Sequence, residues 1–240
     1  MPDLGLLLRE YGLNYREIVR RLMLMVIISA IYVWLWGLDD GGSAWNWLFV
    51  VLILLTLSLT LIPSVTNLIQ NPRLRVYERG VALRLRGREQ GWRWDEFTRF
   101  QGQFTNYSLW GLITWLHTGV HTFYVGDVPA IRLTQFYASA IEIYQLLVHP
   151  ITQALLPQQI ERLERGETLE FKHVKLALDG LMVGKTTIPL ADIRAIYGQP
   201  QQINVERRST SKTVNLLLTD FPNPTVLIAL LNILSRETLR

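Results

Sequence analysis

Long apolar runs dominate the first third of the chain: Leu22–Leu38 holds seventeen residues without a charge, and Ala44–Ile62 holds nineteen more. Each approaches the roughly 20 residues a helix needs to cross hydrocarbon. The pattern predicts transmembrane helices at 22–38 and 44–63, joined by a short polar turn at 39–43. Ahead of them Leu4, Leu7, Tyr11, Tyr15 and Ile18 recur at helical spacing opposite Arg9, Arg16 and Arg20. That spacing predicts an amphipathic cytoplasmic segment over 1–21, or a simple continuation of the first spanning helix. From Arg73 the period shortens to two, as in Val81, Leu83 and Leu85 against Ala82, Arg84 and Arg86, which predicts antiparallel β structure.

The β-patterned region repeats itself. Glu78-Arg79-Gly80-Val81-Ala82-Leu83 recurs as Leu178-Asp179-Gly180-Leu181-Met182-Val183, and Trp94–Phe100 recurs as Leu190–Ile196 with apolar and acidic positions in register. Each half ends in a predicted helix, from Phe136 to about Val148 and from Pro224 to about Leu239. Asn223 can cap the second while Pro224 takes its first position. A further helical stretch, Ile151–Arg165, is interrupted by Pro157 and stopped by Gly166. The predicted organisation is a first domain at 73–149, a helical connector at 150–166 and a second domain at 167–240.

Four short segments carry a resemblance: Tyr77-Glu78-Arg79-Gly80, Trp94-Asp95-Glu96-Phe97, Arg165-Gly166-Glu167 and Phe221-Pro222-Asn223-Pro224. With the order of elements, they resemble an uncharacterised bacterial family of membrane proteins with two N-terminal transmembrane helices and tandem pleckstrin-homology-like domains. The resemblance covers roughly residues 73 to 236 and implies a fold, two bent antiparallel barrels each closed by a C-terminal helix, without a catalytic assignment. The sequence departs from that pattern in the hydrophobic loop Leu109–Leu116. The expected fold class is α+β, a two-helix membrane anchor followed by two mainly antiparallel pleckstrin-homology-like domains.

Composition and charge add placement. The 240 residues are 49% hydrophobic with mean hydropathy +0.18, and between 22 and 72 the only charges are Asp39 and Asp40. Arg9, Arg16, Arg20 and Arg21 precede the first apolar run and Arg73, Arg75 and Arg79 follow the second. That asymmetry predicts both termini on the cytoplasmic side of a multi-pass cell (inner) membrane protein. Trp34, Trp36, Trp45 and Trp47 cluster about the turn as interfacial anchors. With no cysteine there is no disulfide framework and no thiolate metal site. The net charge of +4 suits anionic lipid heads and is too small to indicate nucleic acid.

Candidate chemistry is sparse. No phosphate-cradling glycine loop, nucleophile elbow or dinucleotide fingerprint occurs, so no catalytic residue, cofactor or metal is expected. His117 and His121 are a four-apart pair without a convincing third ligand. The acids Asp95, Glu96, Glu161 and Glu164 read as turn, cap or solvated positions, and Thr56, Ser58 and Thr60 read as backbone-satisfying hydroxyls. Arg84, Arg86, Arg88 and Arg93 surround the first hairpin turn, and the family resemblance makes them lipid-headgroup candidates. Arg207, Arg208 and Lys212 border a Ser/Thr-rich turn and have a weaker claim of the same kind. Leu109, Trp110, Leu112, Ile113, Trp115 and Leu116 lie in a segment, Phe100–Gly126, that has no charged residue. They fit a hairpin tip for shallow lipid insertion or a partner, with ordinary core packing as the alternative.

These readings lead to a membrane-anchored, non-catalytic interaction or scaffold module for protein or anionic-lipid partners at the cytoplasmic face. The competing expectations are an accessory subunit of a transport or channel complex and, behind it, an enzyme with an unrecognised site.

Overall fold

The computed structural model describes residues 2–36, 51, 62, 65–66, 69–109, 113–134, 137, 139–199, 202–210, 213–217 and 221–237. Contacts divide the chain into two compact units, one built mainly of Gly5–Gly91 and the other of Trp92–Gln135 with Ser139–Arg240.

In the first unit β1 (Leu7–Tyr11), β2 (Arg73–Tyr77), β3 (Gly80–Leu85) and β4 (Arg88–Arg93) form one antiparallel sheet in sequence order. Alternation sets its faces: Leu74 and Val76 of β2 are buried, whereas Arg73 is exposed. In β3 the buried run Gly80–Leu83 breaks the alternation and loses solvent on both faces. Helix α1 (Tyr15–Trp36) starts where the Asn14 carbonyl accepts from Ile18 N–H at 3.2 Å. Its buried Ile18 packs with Leu13, which bridges to Tyr137, and with the half-buried Leu22.

The N-terminal segment is a strand here, not an amphipathic helix. β1 pairs with β2 from Leu7↔Tyr77 to Tyr11↔Leu74, so its partner lies more than sixty residues downstream. Residues 12–72 are therefore an excursion from a β hairpin. The chain leaves the sheet at Tyr11 and re-enters beside it, at the ~5 Å spacing of neighbouring strands.

The second unit holds three sheets. β5 (Phe97–Leu109), β6 (Ile113–Val125) and β7 (Val128–Leu133) make one three-stranded meander, and β12 (Ile193–Gln199), β13 (Gln202–Arg207) and β14 (Thr213–Leu217) make another. Between them in sequence, β8 (Leu169–Phe171), β9 (Val174–Ala177), β10 (Gly180–Val183) and β11 (Thr186–Pro189) form a four-stranded sheet. Phe97, Phe100 and Phe123 are fully buried, and Phe97 meets Phe123 edge to face at 6.3 Å. Helix α2 (Ala140–Glu164) buries Ile143, Leu147 and Ile151. Helix α3 (Pro224–Glu237) buries Val226, Leu227, Leu230 and Leu231.

Element order repeats: four strands, a 3₁₀ turn, three strands and a helix occur twice, with the 3₁₀ turns at Trp94–Glu96 and Leu190–Asp192. The hairpin that carries the excursion in the first repeat is closed in the second by Lys172 and His173 alone. Gly180 opens β10 because a Cβ there would lie 2.7 Å from the Ile188 carbonyl oxygen.

Three expectations are corrected. α1 carries Arg16, Glu17, Arg20 and Arg21 in its first two turns, which leaves 22–36, fifteen uncharged residues, inside the helix. Among the described residues no helix is long and apolar enough to cross a membrane. The multi-pass inner-membrane placement with both termini cytoplasmic therefore falls. The α+β architecture of a two-helix anchor and two pleckstrin-homology-like domains gives way, among the described residues, to a β-rich arrangement of four small antiparallel sheets in which the longest helix, α2, is central. The turn 39–43, Trp45, Trp47 and almost all of 44–63 lie outside the described residues; Trp34 lies on α1 and is exposed.

The helix predicted to end near Val148 and the connector after it are one element, because α2 continues through Pro150 and Pro157. Its end matches the expected glycine stop: Gly166, at φ 80°, donates to the Leu163 carbonyl and Glu167 donates to the Arg162 carbonyl. That pair of bonds is the Schellman arrangement.

Candidate functional site

Two tight turns build a basic cleft in the first unit. Glu78 and Arg79 close β2 onto β3 and fix a register in which Arg73 stands opposite Arg84. Arg86 and Gly87 then connect β3 to β4, both left-handed, at φ 49° and 81°. Two successive positive φ values are what a two-residue hairpin turn of matching twist requires. A side chain other than glycine there costs roughly 1 kcal/mol, and arginine is not among the residues that turn ordinarily selects.

The Arg86 amide donates to the Gln70 carbonyl at 3.0 Å, tying this turn to the chain re-entering the sheet. Gln70, Asn71, Arg73, Arg84, Arg86 and Gly87 line a cleft of about 280 Å³.

Charges around the cleft fall into two groups. Arg73 Nη1 lies 2.9 Å from Glu10 Oε1, Arg75 Nε lies 3.0 Å from Glu10 Oε2, and Arg75 also reaches Glu89 at 3.2 Å. The Arg73 hydrogen bond, with help from Arg75, holds the Glu10 carboxyl below the usual carboxylate range. Arg84, Arg86 and Arg88 are different: all three are exposed, and among the described residues their side chains carry no hydrogen bond and no ion pair. Guanidinium groups in this condition present fork-shaped donors suited to phosphate or carboxylate oxygens.

The predicted headgroup set is thus divided. Arg84 and Arg86 share the cleft, while Arg93 sits 3.3 Å from Asp95 in an exposed ion pair. Pattern reading missed Gln70, Asn71 and Arg73, and the signal for Arg73 was present. Once Glu78 and Arg79 are taken as a two-residue turn, Arg73 pairs with Arg84 by counting along both strands.

Elsewhere, β5 and β6 pair from Phe97↔Val125 to Leu109↔Ile113, but β7 joins only along His121–Val125, so the outer part is a two-stranded ribbon. Trp110 and Leu112 lie outside the described residues, as do the side chains of Leu109, Ile113, Trp115 and Leu116. His117 lies on the ribbon; His121 is buried and stacks on Tyr144 with ring centroids 4.0 Å apart. Burial pushes its imidazole down to about 4. Among the described residues no three His, Cys, Asp or Glu side chains gather to hold a metal ion. Arg207 and Arg208 lie at the β13–β14 turn, and Lys212 lies outside the described residues.

No curated protein matches the chain. The membrane-protein family with tandem pleckstrin-homology-like domains, inferred from short motifs over part of the sequence, is not upheld. A different family model spans residues 1–238, and no described helix can cross a membrane. The chain belongs to DUF6585, a family of unknown function.

Proposed function

We propose that this chain is a non-catalytic interaction module whose arginine cleft in the first unit engages anionic lipid headgroups at a membrane surface. One observation carries the reading: Arg84, Arg86 and Arg88 stand on a single hairpin without acidic partners, while the neighbouring Arg73 and Arg75 are paired with Glu10 and Glu89. All three are exposed, on or beside one hairpin turn, so an external anion can take up their donors without breaking an internal bond. The cleft offers guanidinium and amide groups, none of which is a nucleophile or a general base near neutral pH, which supports binding over catalysis.

Each cation near an anionic surface contributes about 1 kcal/mol, so the three together are worth about 3 kcal/mol, roughly a hundredfold in affinity. The test is flotation of the full chain with neutral and with anionic vesicles at low and high salt. Recovery with anionic vesicles that falls with salt and with the R84Q/R86Q/R88Q substitution supports the proposal. Equal recovery on neutral and anionic vesicles, or none on either, overturns it and turns attention to protein partners.

A further inference from the structure

We propose that a second cleft, at the β13–β14 turn of the second unit, is a binding site for a phosphate monoester group. Arg194, Arg208, Thr210 and Thr213 line a space of about 300 Å³ there, together with Glu206, Arg207 and Ser209.

The turn is held in place by Asp192. Its carboxylate accepts from Ser209 N–H at 2.7 Å, Ser209 Oγ at 2.8 Å and Arg207 Nε at 2.7 Å. The Arg208 amide donates to the Asp192 carbonyl at 2.6 Å. Four bonds from one residue clamp the turn onto the 3₁₀ segment Leu190–Asp192, and the same carboxylate neutralises Arg207.

What remains is a surplus of donors. Arg208 Nε donates to the Ile193 carbonyl at 3.1 Å, which fixes the guanidinium while leaving its two terminal nitrogens without a bond among the described residues. Arg194 makes no side-chain hydrogen bond or ion pair among those residues, and neither do the hydroxyls of Thr210 and Thr213. Glu206 is the one carboxylate lining the cleft among the described residues, and its proximity raises the Tyr197 phenol above its ordinary value. Two guanidiniums and two hydroxyls lining one cleft match the three oxygens and the double negative charge of a phosphate monoester. A carboxylate would leave part of this donor set unused.

The group could arrive free or on a lipid headgroup, and the chemistry is shared. The experiment therefore uses the full chain carrying R84Q/R86Q/R88Q, so that the first cleft does not contribute. It is titrated with pyrophosphate by calorimetry. In parallel it is floated with vesicles containing phosphatidic acid, a monoester, or phosphatidylglycerol, a diester, at equal surface charge.

Saturable pyrophosphate binding, weakened about tenfold by R194Q and by R208K but unchanged by R162Q, supports the site. R194Q is the decisive variant, because Arg194 makes no side-chain hydrogen bond or ion pair among the described residues, and R208K keeps the charge while losing the fork. A vesicle preference for phosphatidic acid that is lost in R194Q assigns the phosphate to a lipid, whereas pyrophosphate binding without that preference assigns it to a soluble ligand. Absence of saturable pyrophosphate binding, or binding indifferent to R194Q, overturns the proposal and leaves the first cleft's reading untouched.

Discussion

Asn223 makes the firmest energetic prediction. It stands before Pro224 at the start of α3, where its carbonyl accepts from Val226 and Leu227, as a helix-initiating residue should. Its side chain does something else. Oδ1 accepts from the Phe100 amide at 2.8 Å, Nδ2 donates to the Thr98 carbonyl at 3.2 Å, and the Asn223 amide donates to the Phe100 carbonyl at 2.8 Å. One residue thus stands in for a neighbouring strand along β5, and its φ of 49° is a conformation asparagine tolerates.

N223A leaves the amide of the fully buried Phe100 without its acceptor, at about 1–3 kcal/mol, and places alanine in the left-handed region for about 1 kcal/mol more. The exposed Thr98 carbonyl can turn to water and adds little. The total is about 2–4 kcal/mol, and at about 2–4 °C per kcal/mol for a chain of this size the melting point falls by roughly 5–15 °C. N223G removes the same bonds without the conformational penalty and should fall between N223A and the wild type. Thermal unfolding followed by near-ultraviolet circular dichroism reads both. An N223A melting point within about 2 °C of wild type, or an N223G chain as unstable as N223A, refutes the reasoning.

Two further predictions concern titration and charge. His121 titrates at about 4 in the folded chain against 6.5 ordinarily. As pH falls below the ordinary value, the unfolded chain takes up a proton that the folded chain refuses, and about 2 kcal/mol of stability is lost between about pH 7 and pH 4.5. H121Q should flatten that part of the stability profile, and an unchanged slope in urea titrations at the two pH values contradicts the assignment. E10Q releases Arg73 from its ion pair while removing a negative charge beside the cleft, so anionic-vesicle affinity should rise about fivefold. Stability should move by about 1 kcal/mol or less, since the pair is solvent-exposed. A drop in vesicle affinity would count against the cleft.

Local pattern exposed some features and hid others for physical reasons. The strand around Val81–Leu85, the glycine at 166 and the recurrence of Gly80 as Gly180 depend on neighbours in sequence, and the structure has β3, the end of α2 and β10 there, although Ala82 is buried and Leu85 exposed, against the two-residue period. β1 was illegible because Leu6-Leu7-Leu8-Arg9-Glu10 satisfies a helical period as well as an extended one, and the strand that decides the matter begins at Arg73. Asn223 was half legible: its backbone role follows from Pro224 beside it, whereas its side-chain partners lie more than 120 residues away.

The apolar run at 22–38 pointed to a spanning helix, and among the described residues no helix is long and apolar enough to be one. The arginine cluster at 84–88 was visible in sequence, but which arginines are free is a tertiary property. Arg93 has Asp95 beside it, Arg73 has Glu10 only because β1 pairs with β2, and Arg84, Arg86 and Arg88 have neither.

The central claim is that unpaired arginines, rather than net positive charge, attach this chain to anionic surfaces. Flotation with anionic vesicles should therefore compare wild type with R84Q/R86Q/R88Q and with R93Q/R162Q/R165Q. The second variant also removes three charges, but from residues engaged by Asp95 and Glu167. The account predicts a loss of roughly a hundredfold for the first variant and little change for the second. Equal losses in the two variants would reduce the cleft to a contribution of overall charge and contradict the claim.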